Sequence, residues 1–221
     1  MKPTILLAEA TTPDGRLMTL HEHDGAFLIS VAGVPLMSTR QHHSEIRLAE
    51  IACDHIRDRP APRLLIGGLG LGFTLRAALE GLGPEARVTV AELLPAVVEW
   101  NGNPAYGLAA KELEDPRVEV VVGDVAHVIG ERRGFFDAIL LDVDNGASGL
   151  TTKKNNQLYT ARSLGLARAA LKPQGALVVW SADKDPTFVE KMGDAGFSVT
   201  TERVPAYPGG KIFNWLFVGV R

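Results

Sequence analysis

Short, mostly apolar runs recur along the chain at regular intervals: "RLLIG" from Arg63, "RVTVAEL" from Arg87, "RVEVVVGD" from Arg117, "FDAILLDVD" from Phe136 and "ALVVWSA" from Ala176. A strand with one wet face alternates apolar and polar residues. The inner runs here are continuously apolar instead, as in strands of a parallel sheet covered on both faces. Helix-like stretches separate them: "FTLRAALEGLG", "PAVVEWN", "VAHVIGERR" and "NQLYTARSLGLARAALKPQG", the last stopped by Pro173 and Gly175. A further helix, "DPTFVEKMGDAGF", and two strands, "SVTTERV" and "KIFNWLFVGV", close the chain. Strands alternating with helices make an open α/β sheet. Ligands of such sheets lie at the carboxyl ends of the strands, near the point where the strand order reverses.

The chain before this pattern reads differently. "TILLAEA" and "RLMTLHEHDGAFLISVAG" are β-like, and Asp24-Gly25 between apolar runs signals a hairpin. Residues 1–40 therefore form a small antiparallel β region, and residues 41–221 the α/β domain. "HSEIRLAEIACDHIRD" is a helix with Ser44 as N-cap, and "RPAPR" breaks the chain after it. The net charge of −3 and the absence of any Lys/Arg run argue against nucleic acid or an anionic membrane surface as partner. No apolar run reaches the roughly 18 residues of a membrane span. "MKPTILLAEATTPDG" lacks the long apolar segment of a signal peptide. Cys53 is the single cysteine, which excludes an internal disulfide and a cysteine-based zinc site and fits the cytoplasm. His21 and His23 share a strand face but have no third ligand, so no metal is expected.

Four glycines, Gly67, Gly68, Gly70 and Gly72, follow the first buried strand in "LLIGGLGLGFTL". They allow a tight turn and close approach of the main chain to a ligand. Glu92 lies 20 residues after Gly72, at the end of the second strand, where a carboxylate reaches ribose hydroxyls. Asp124 ends the third strand and can accept a hydrogen bond from an adenine amino group; Val125 beside it completes the donor-binding set. Asp142 and Asp144 end the fourth strand. Acids also cap helices, but three successive strands ending in acid point to a ligand. The glycine spacing is Gly-x-Gly-x-Gly, with Phe73 where a dinucleotide site has its third glycine. The next basic residue after the turn is Arg76, a full turn into the helix, so phosphates are poorly served. An acid-rimmed pocket suits a cation, such as the sulfonium of S-adenosylmethionine or its decarboxylated form.

From Arg63 to Gln174 the chain resembles the spermidine synthase (polyamine aminopropyltransferase) family. The resemblance is carried by "LLIGGLGLG", "VTVAELLPAVVEW", "DPRVEVVVGD", "FDAILLDVDNG" and "LYTARSLGLARAALKPQGAL". It implies the class I S-adenosylmethionine-dependent transferase fold: a Rossmann-like, mostly parallel seven-stranded sheet flanked by helices, behind an N-terminal hairpin region. It also implies roles. Glu92 holds the ribose and Asp124 the adenine; Asp142 is the catalytic acid that takes a proton from the attacking amine. Glu45 matches the glutamate of the family's Tyr-His-Glu segment, with Ser44 at the histidine position, and Tyr159 follows the substrate loop. Two positions depart from the family. Gly70 replaces the aspartate of Gly-Gly-Gly-Asp-Gly-Gly that meets the donor ammonium. Asn145 replaces the second aspartate of Asp-Ser-Ser-Asp-Pro, with Asp144 one position away. The expected substrate set is thus Glu45, Asp144, Asn145 and Tyr159.

The resulting expectation is a transferase moving an aminopropyl or methyl group to a small, amine-type nucleophile. The donor is S-adenosylmethionine or its decarboxylated form, without a metal. The alternatives are a non-catalytic binder of adenosyl thioethers and a nicotinamide-dependent dehydrogenase. Residues 145–156, with Lys153 and Lys154, have the length and polarity of a lid. Trp180 and Ser181 are candidates for the acceptor pocket, and His42 and His43 for a place near the donor. Exposed edges in the N-terminal sheet suggest a homodimer.

Overall fold

The structure, a computed structural model, describes residues 3–143 and 158–221. Strands β1 (Ile5–Thr11), β2 (Leu17–His23), β3 (Ala26–Val31) and β4 (Val34–Ser38) form an antiparallel sheet in sequence order. The Asp24-Gly25 hairpin is present: His23 pairs with Ala26, and both turn residues have positive φ, 53° and 72°. That is the two-residue turn whose twist matches its strands.

Helix α1 (His43–Ile56) follows. Ser44 is not its N-cap. His42 occupies the cap position, and Ser44 lies inside the first turn with no exposed surface. Its hydroxyl is claimed by partners on the large sheet, described below.

The large sheet contains β5 (Arg63–Gly67), β6 (Arg87–Glu92), β7 (Val118–Val122), β8 (Phe136–Leu141), β9 (Leu171–Ser181), β10 (Ser198–Pro205) and β11 (Phe213–Val220). Their order is β10-β11-β9-β8-β5-β6-β7; β11 runs antiparallel to both neighbours, and the other pairs are parallel. Alternate residues of each inner strand face opposite cores. Leu64, Ile66, Val88, Val90 and Leu140 pack with α1, α2 (Phe73–Gly81) and α3 (Pro95–Gly102). Leu65, Ala91, Ile139 and Leu141 pack with α5 (Val125–Gly130), α6 (Ala161–Ala170) and α7 (Pro186–Asp194). Burial on both faces is why these strands carry no polar alternation. The small sheet is not an appendage, because Met18, Leu20, Ile29 and Val31 belong to the first of these cores. Among the described residues, no helix is long and apolar enough to cross a membrane.

Two details depart from the expected elements. The helix thought to run to Pro173 stops at Ala170, and Leu171 already pairs with Phe136 in β9. Proline disfavours helical geometry in the residue before it as well as in itself, and fully buried Leu171 is better used as strand. A short helix, α4 (Ala110–Leu113), was not anticipated, since one turn is too short for a periodic signal.

The chain runs outward from β5 through β6 to β7, then returns to β8 on the other side of β5. The reversal opens a crevice at the carboxyl ends of β5, β6 and β8.

Candidate active site

The glycine turn joins β5 to α2 at this crevice. Gly68 has φ +92°, and a Cβ there would land on the carbonyl oxygen of Asp142. Only glycine lets the turn pass so close to the end of β8. Gly70 also has positive φ, +56°, but a Cβ there would meet only Met37 Sδ, at 3.5 Å. Position 70 thus faces space, not packing. Gly67 closes β5, and Gly72 stands at the N-cap of α2. Buried Asn101 holds the turn from behind, donating from Nδ2 to the carbonyl oxygens of Gly70 and Val97, each at 2.8 Å.

The three carboxylates fall where consecutive parallel strands end. Glu92 is the last residue of β6 and is buried. Its two oxygens accept hydrogen bonds from the main-chain N–H groups of Leu69 (2.8 Å) and Leu94 (2.9 Å). Burial raises its pKa, and these N–H groups pull it back. Asp124 lies two residues beyond β7 and caps α5 by accepting from the Ala126 N–H at 2.8 Å. Asp142 directly follows β8, and its Oδ2 accepts a hydrogen bond from Thr74 Oγ1 at 2.6 Å. Burial pushes its carboxyl up to about 6.

Two adjoining cavities open on this rim. The first is lined by Gly68, Gly70, Glu92, Asp124, Val125 and Asp142, with Met18, Leu36 and Met37 as an apolar wall from the small sheet. The second is lined by Gln41, Glu45, Gly70, Phe73, Asp142, Trp180 and Asn214, again with Leu36 and Met37. Leu36, Met37, Gly70 and Asp142 border both, so Asp142 stands at the seam.

Glu45 faces the second cavity from the first turn of α1. Burial, then the charge of Asp142, raises its carboxyl to about 7. Ser44 donates to Glu45 Oε2 at 2.7 Å and accepts from Trp180 Nε1 (3.0 Å) and Asn214 Nδ2 (2.9 Å).

Of the sequence candidates, the structure brings Gly68, Gly70, Glu92, Asp124, Val125, Asp142, Glu45 and Trp180 to the two cavities. Tyr159 is buried beside them. It packs edge-on against Phe188 with ring centres 5.4 Å apart, and its hydroxyl donates to the Val143 carbonyl oxygen at 3.4 Å. Ser181 points elsewhere, its hydroxyl on the Asp183 carbonyl oxygen. His42 stacks on Phe73, with ring centres 4.2 Å apart. His43 donates its main-chain N–H to the Ala206 carbonyl oxygen. Asp144, Asn145, Lys153 and Lys154 lie outside the described residues. Thr74, Asn101, Met37 and Asn214 had no sequence signal; only Thr74 stood near one, directly after the glycine turn. Among the described residues, no group of three or more His, Cys, Asp or Glu is placed to hold a metal ion.

Known proteins resemble this chain in sequence and in fold. No protein-family model matches it. Polyamine aminopropyltransferase 1 of Streptomyces coelicolor is 31% identical over 172 residues, which is 73% of this chain and 30% of that protein. The polyamine aminopropyltransferase of Mycobacterium tuberculosis is 32% identical over 153 residues, 64% of this chain and 28% of that protein. The chain thus spans about 30% of the length of these curated relatives. The crystal structure of spermidine synthase from Thermotoga maritima superposes with a TM-score of 0.74 at 19% identity, covering 97% of this chain and 72% of that one. A spermidine synthase in complex with the transition-state analogue AdoDATO gives a TM-score of 0.73, also at 19% identity and with the same coverage. Identity at that level speaks for the fold, while the sequence matches speak for kinship. By sequence kinship the chain is a spermidine synthase-like relative of the polyamine aminopropyltransferases, and its fold agrees.

Proposed function

We propose that the chain transfers the aminopropyl group of decarboxylated S-adenosylmethionine to a nitrogen of a small amine. The observation that carries this reading is the position of Asp142, on the wall shared by two cavities. The donor occupies the first cavity, its adenosine between Glu92, Asp124 and the glycine turn. The amine occupies the second. The reacting carbon then lies at the seam, beside the carboxylate that handles the amine's proton. Sequence kinship with polyamine aminopropyltransferases supports the reaction class.

The charge of the lining supports the decarboxylated donor. Among the described residues, Glu92, Asp124, Asp142 and Glu45 line the two cavities, and no Lys, Arg or His does. Ordinary S-adenosylmethionine brings a carboxylate that meets acids and no cation there. The decarboxylated form brings a sulfonium and an ammonium. Gly70 takes away one anionic contact to that ammonium, yet it supplies no cation for a donor carboxylate. The lining therefore favours aminopropyl over methyl transfer.

An alkyl amine with a pKa near about 10.4 is neutral in roughly one molecule in a few thousand at pH 7. Positioning of nitrogen, carbon and sulfur in line supplies much of the acceleration, and Asp142 supplies a place for the displaced proton. The test is incubation with decarboxylated S-adenosylmethionine and a panel of α,ω-diamines, reading methylthioadenosine release. Release with at least one diamine is expected. Production of S-adenosylhomocysteine from S-adenosylmethionine would reassign the transferred group. Tight binding of methylthioadenosine with no product from either donor would make the protein a binder.

A further inference from the structure

Ser44 makes every hydrogen bond a hydroxyl can make, and makes them all inside the protein. It has no exposed surface. Its oxygen accepts from Trp180 Nε1 at 3.0 Å and Asn214 Nδ2 at 2.9 Å, and its proton goes to Glu45 Oε2 at 2.7 Å. A hydroxyl has one proton and two lone pairs. With both lone pairs facing donors, the proton has one direction left, and that direction is Glu45. Trp180 comes from β9 and Asn214 from β11, so the two central donors are anchored in the large sheet. The device orients one carboxylate in the wall of the second cavity.

The charges explain why a second carboxylate is needed there. Asp142 borders both cavities, and its Oδ2 already takes the Thr74 hydroxyl. A sulfonium in the first cavity and an ammonium in the second repel each other. Two carboxylates, Asp142 and Glu45, balance them.

We propose that Glu45 seats the attacking nitrogen of the amine opposite Asp142, and that Ser44 is the positioning residue that aims it. This rests on the amine-acceptor reading above and deepens it. The acceptor enters as R–NH3+ and gives one proton to the Glu45–Asp142 pair. The neutral nitrogen attacks the donor carbon; the C–N bond forms, the C–S bond breaks, and its electron pair stays on sulfur as a neutral thioether. The product leaves as a secondary ammonium with its remaining two protons, and the carboxylate pair returns its proton to water.

The experiment compares wild type, Glu45→Gln and Ser44→Ala in two assays. One is titration of 1,4-diaminobutane into methylthioadenosine-saturated protein by calorimetry. The other is steady-state transfer with decarboxylated S-adenosylmethionine. Glu45→Gln is expected to weaken diamine binding at least tenfold and to lower kcat/KM at least a hundredfold. Ser44→Ala is expected to raise the diamine KM at least tenfold. Methylthioadenosine affinity stays within twofold in both. Wild-type turnover with both variants unchanged within twofold would overturn the inference and leave the transferase reading intact. A wild type that binds no diamine would overturn both. A wild type that binds diamine through Glu45 without turnover would sink the chemistry and keep the seat. Should Ser44→Ala not fold, Glu45→Gln decides alone, because it keeps the side chain's shape and an acceptor oxygen.

Discussion

An aspartate at position 70 would fit the backbone that glycine now occupies. The φ of +56° lies in the left-handed region that aspartate tolerates, and the nearest atom to its Cβ is Met37 Sδ at ordinary contact distance. Gly70→Asp is therefore expected to fold and to place a carboxylate at the mouth of both cavities. A charge-assisted hydrogen bond is worth about 1.5–3 kcal/mol, so affinity for decarboxylated S-adenosylmethionine should rise about 10- to 100-fold, while affinity for the carboxylate-bearing donor falls. Calorimetric titration with the two donors checks it. Gly68→Ala carries the opposite expectation: its methyl would collide with the Asp142 carbonyl at φ +92°, and the donor cavity should lose its ligand. The acids nearby also set a pH dependence. Asp142 and Glu45 have folded-state pKa values raised to about 6 and about 7, above the ordinary carboxylate range. The fold prefers their protonated forms, so their contribution to stability is present below about pH 4 and is lost as pH rises through 6 and 7. The unliganded protein should melt several degrees lower at pH 8 than these groups would allow at pH 5. Glu45→Gln should recover part of that loss at pH 8, seen in melting curves across the range. Transfer activity should run the other way and rise through pH 6 to 7, because the pair must be ionised to take a proton.

At the scale of the element, β8 is held at both ends by aspartates. Asp137 at its start is 1% exposed and accepts from the Arg63 N–H of β5 at 2.8 Å and from Lys172 Nζ of β9 at 2.6 Å. Asp137→Ala would strand both donors and is expected to cost about 3 kcal/mol, read as a lowered urea midpoint with an unchanged slope. The strands themselves were legible because burial on two faces imposes unbroken apolar runs, and Arg63–Gly67, Phe136–Leu141 and their neighbours all form. The same logic placed Glu92 and Asp142 on one rim, since the carboxyl ends of parallel strands lie together. The end of α6 falls short of Pro173 because a proline acts on the residue before it and buried Leu171 is claimed by β9. Serine at a helix start is a common cap, whereas the partners of Ser44 are 136 and 170 residues away. Periodicity and local motifs are blind to contacts at that separation. Thr74 and Asn101 escaped for the same reason: each serves the site through tertiary contacts with Asp142 or Gly70.

For the molecule as a whole, the small sheet serves two ends. Its inner face completes the core and walls the cavities through Met18, Leu36 and Met37. Its other residues leave apolar surface in water: Ile5, Leu6, Leu17 and Val34 are each about half exposed. The outer edges of β1 and β4 also have no neighbouring strand among the described residues. Unpaired edges with apolar side chains favour pairing between chains. Sedimentation equilibrium should return twice the mass of this chain, and Leu6→Lys with Leu17→Lys should shift it toward the monomer without loss of methylthioadenosine binding. The border shared by the two cavities reaches further. Whatever fills one becomes part of the container for the other, so spent nucleoside left behind after a turnover still offers the next amine a snug berth. If the proposed transfer holds, turnover stalls with both places taken, and the thioether product should inhibit it more, not less, as the amine grows plentiful.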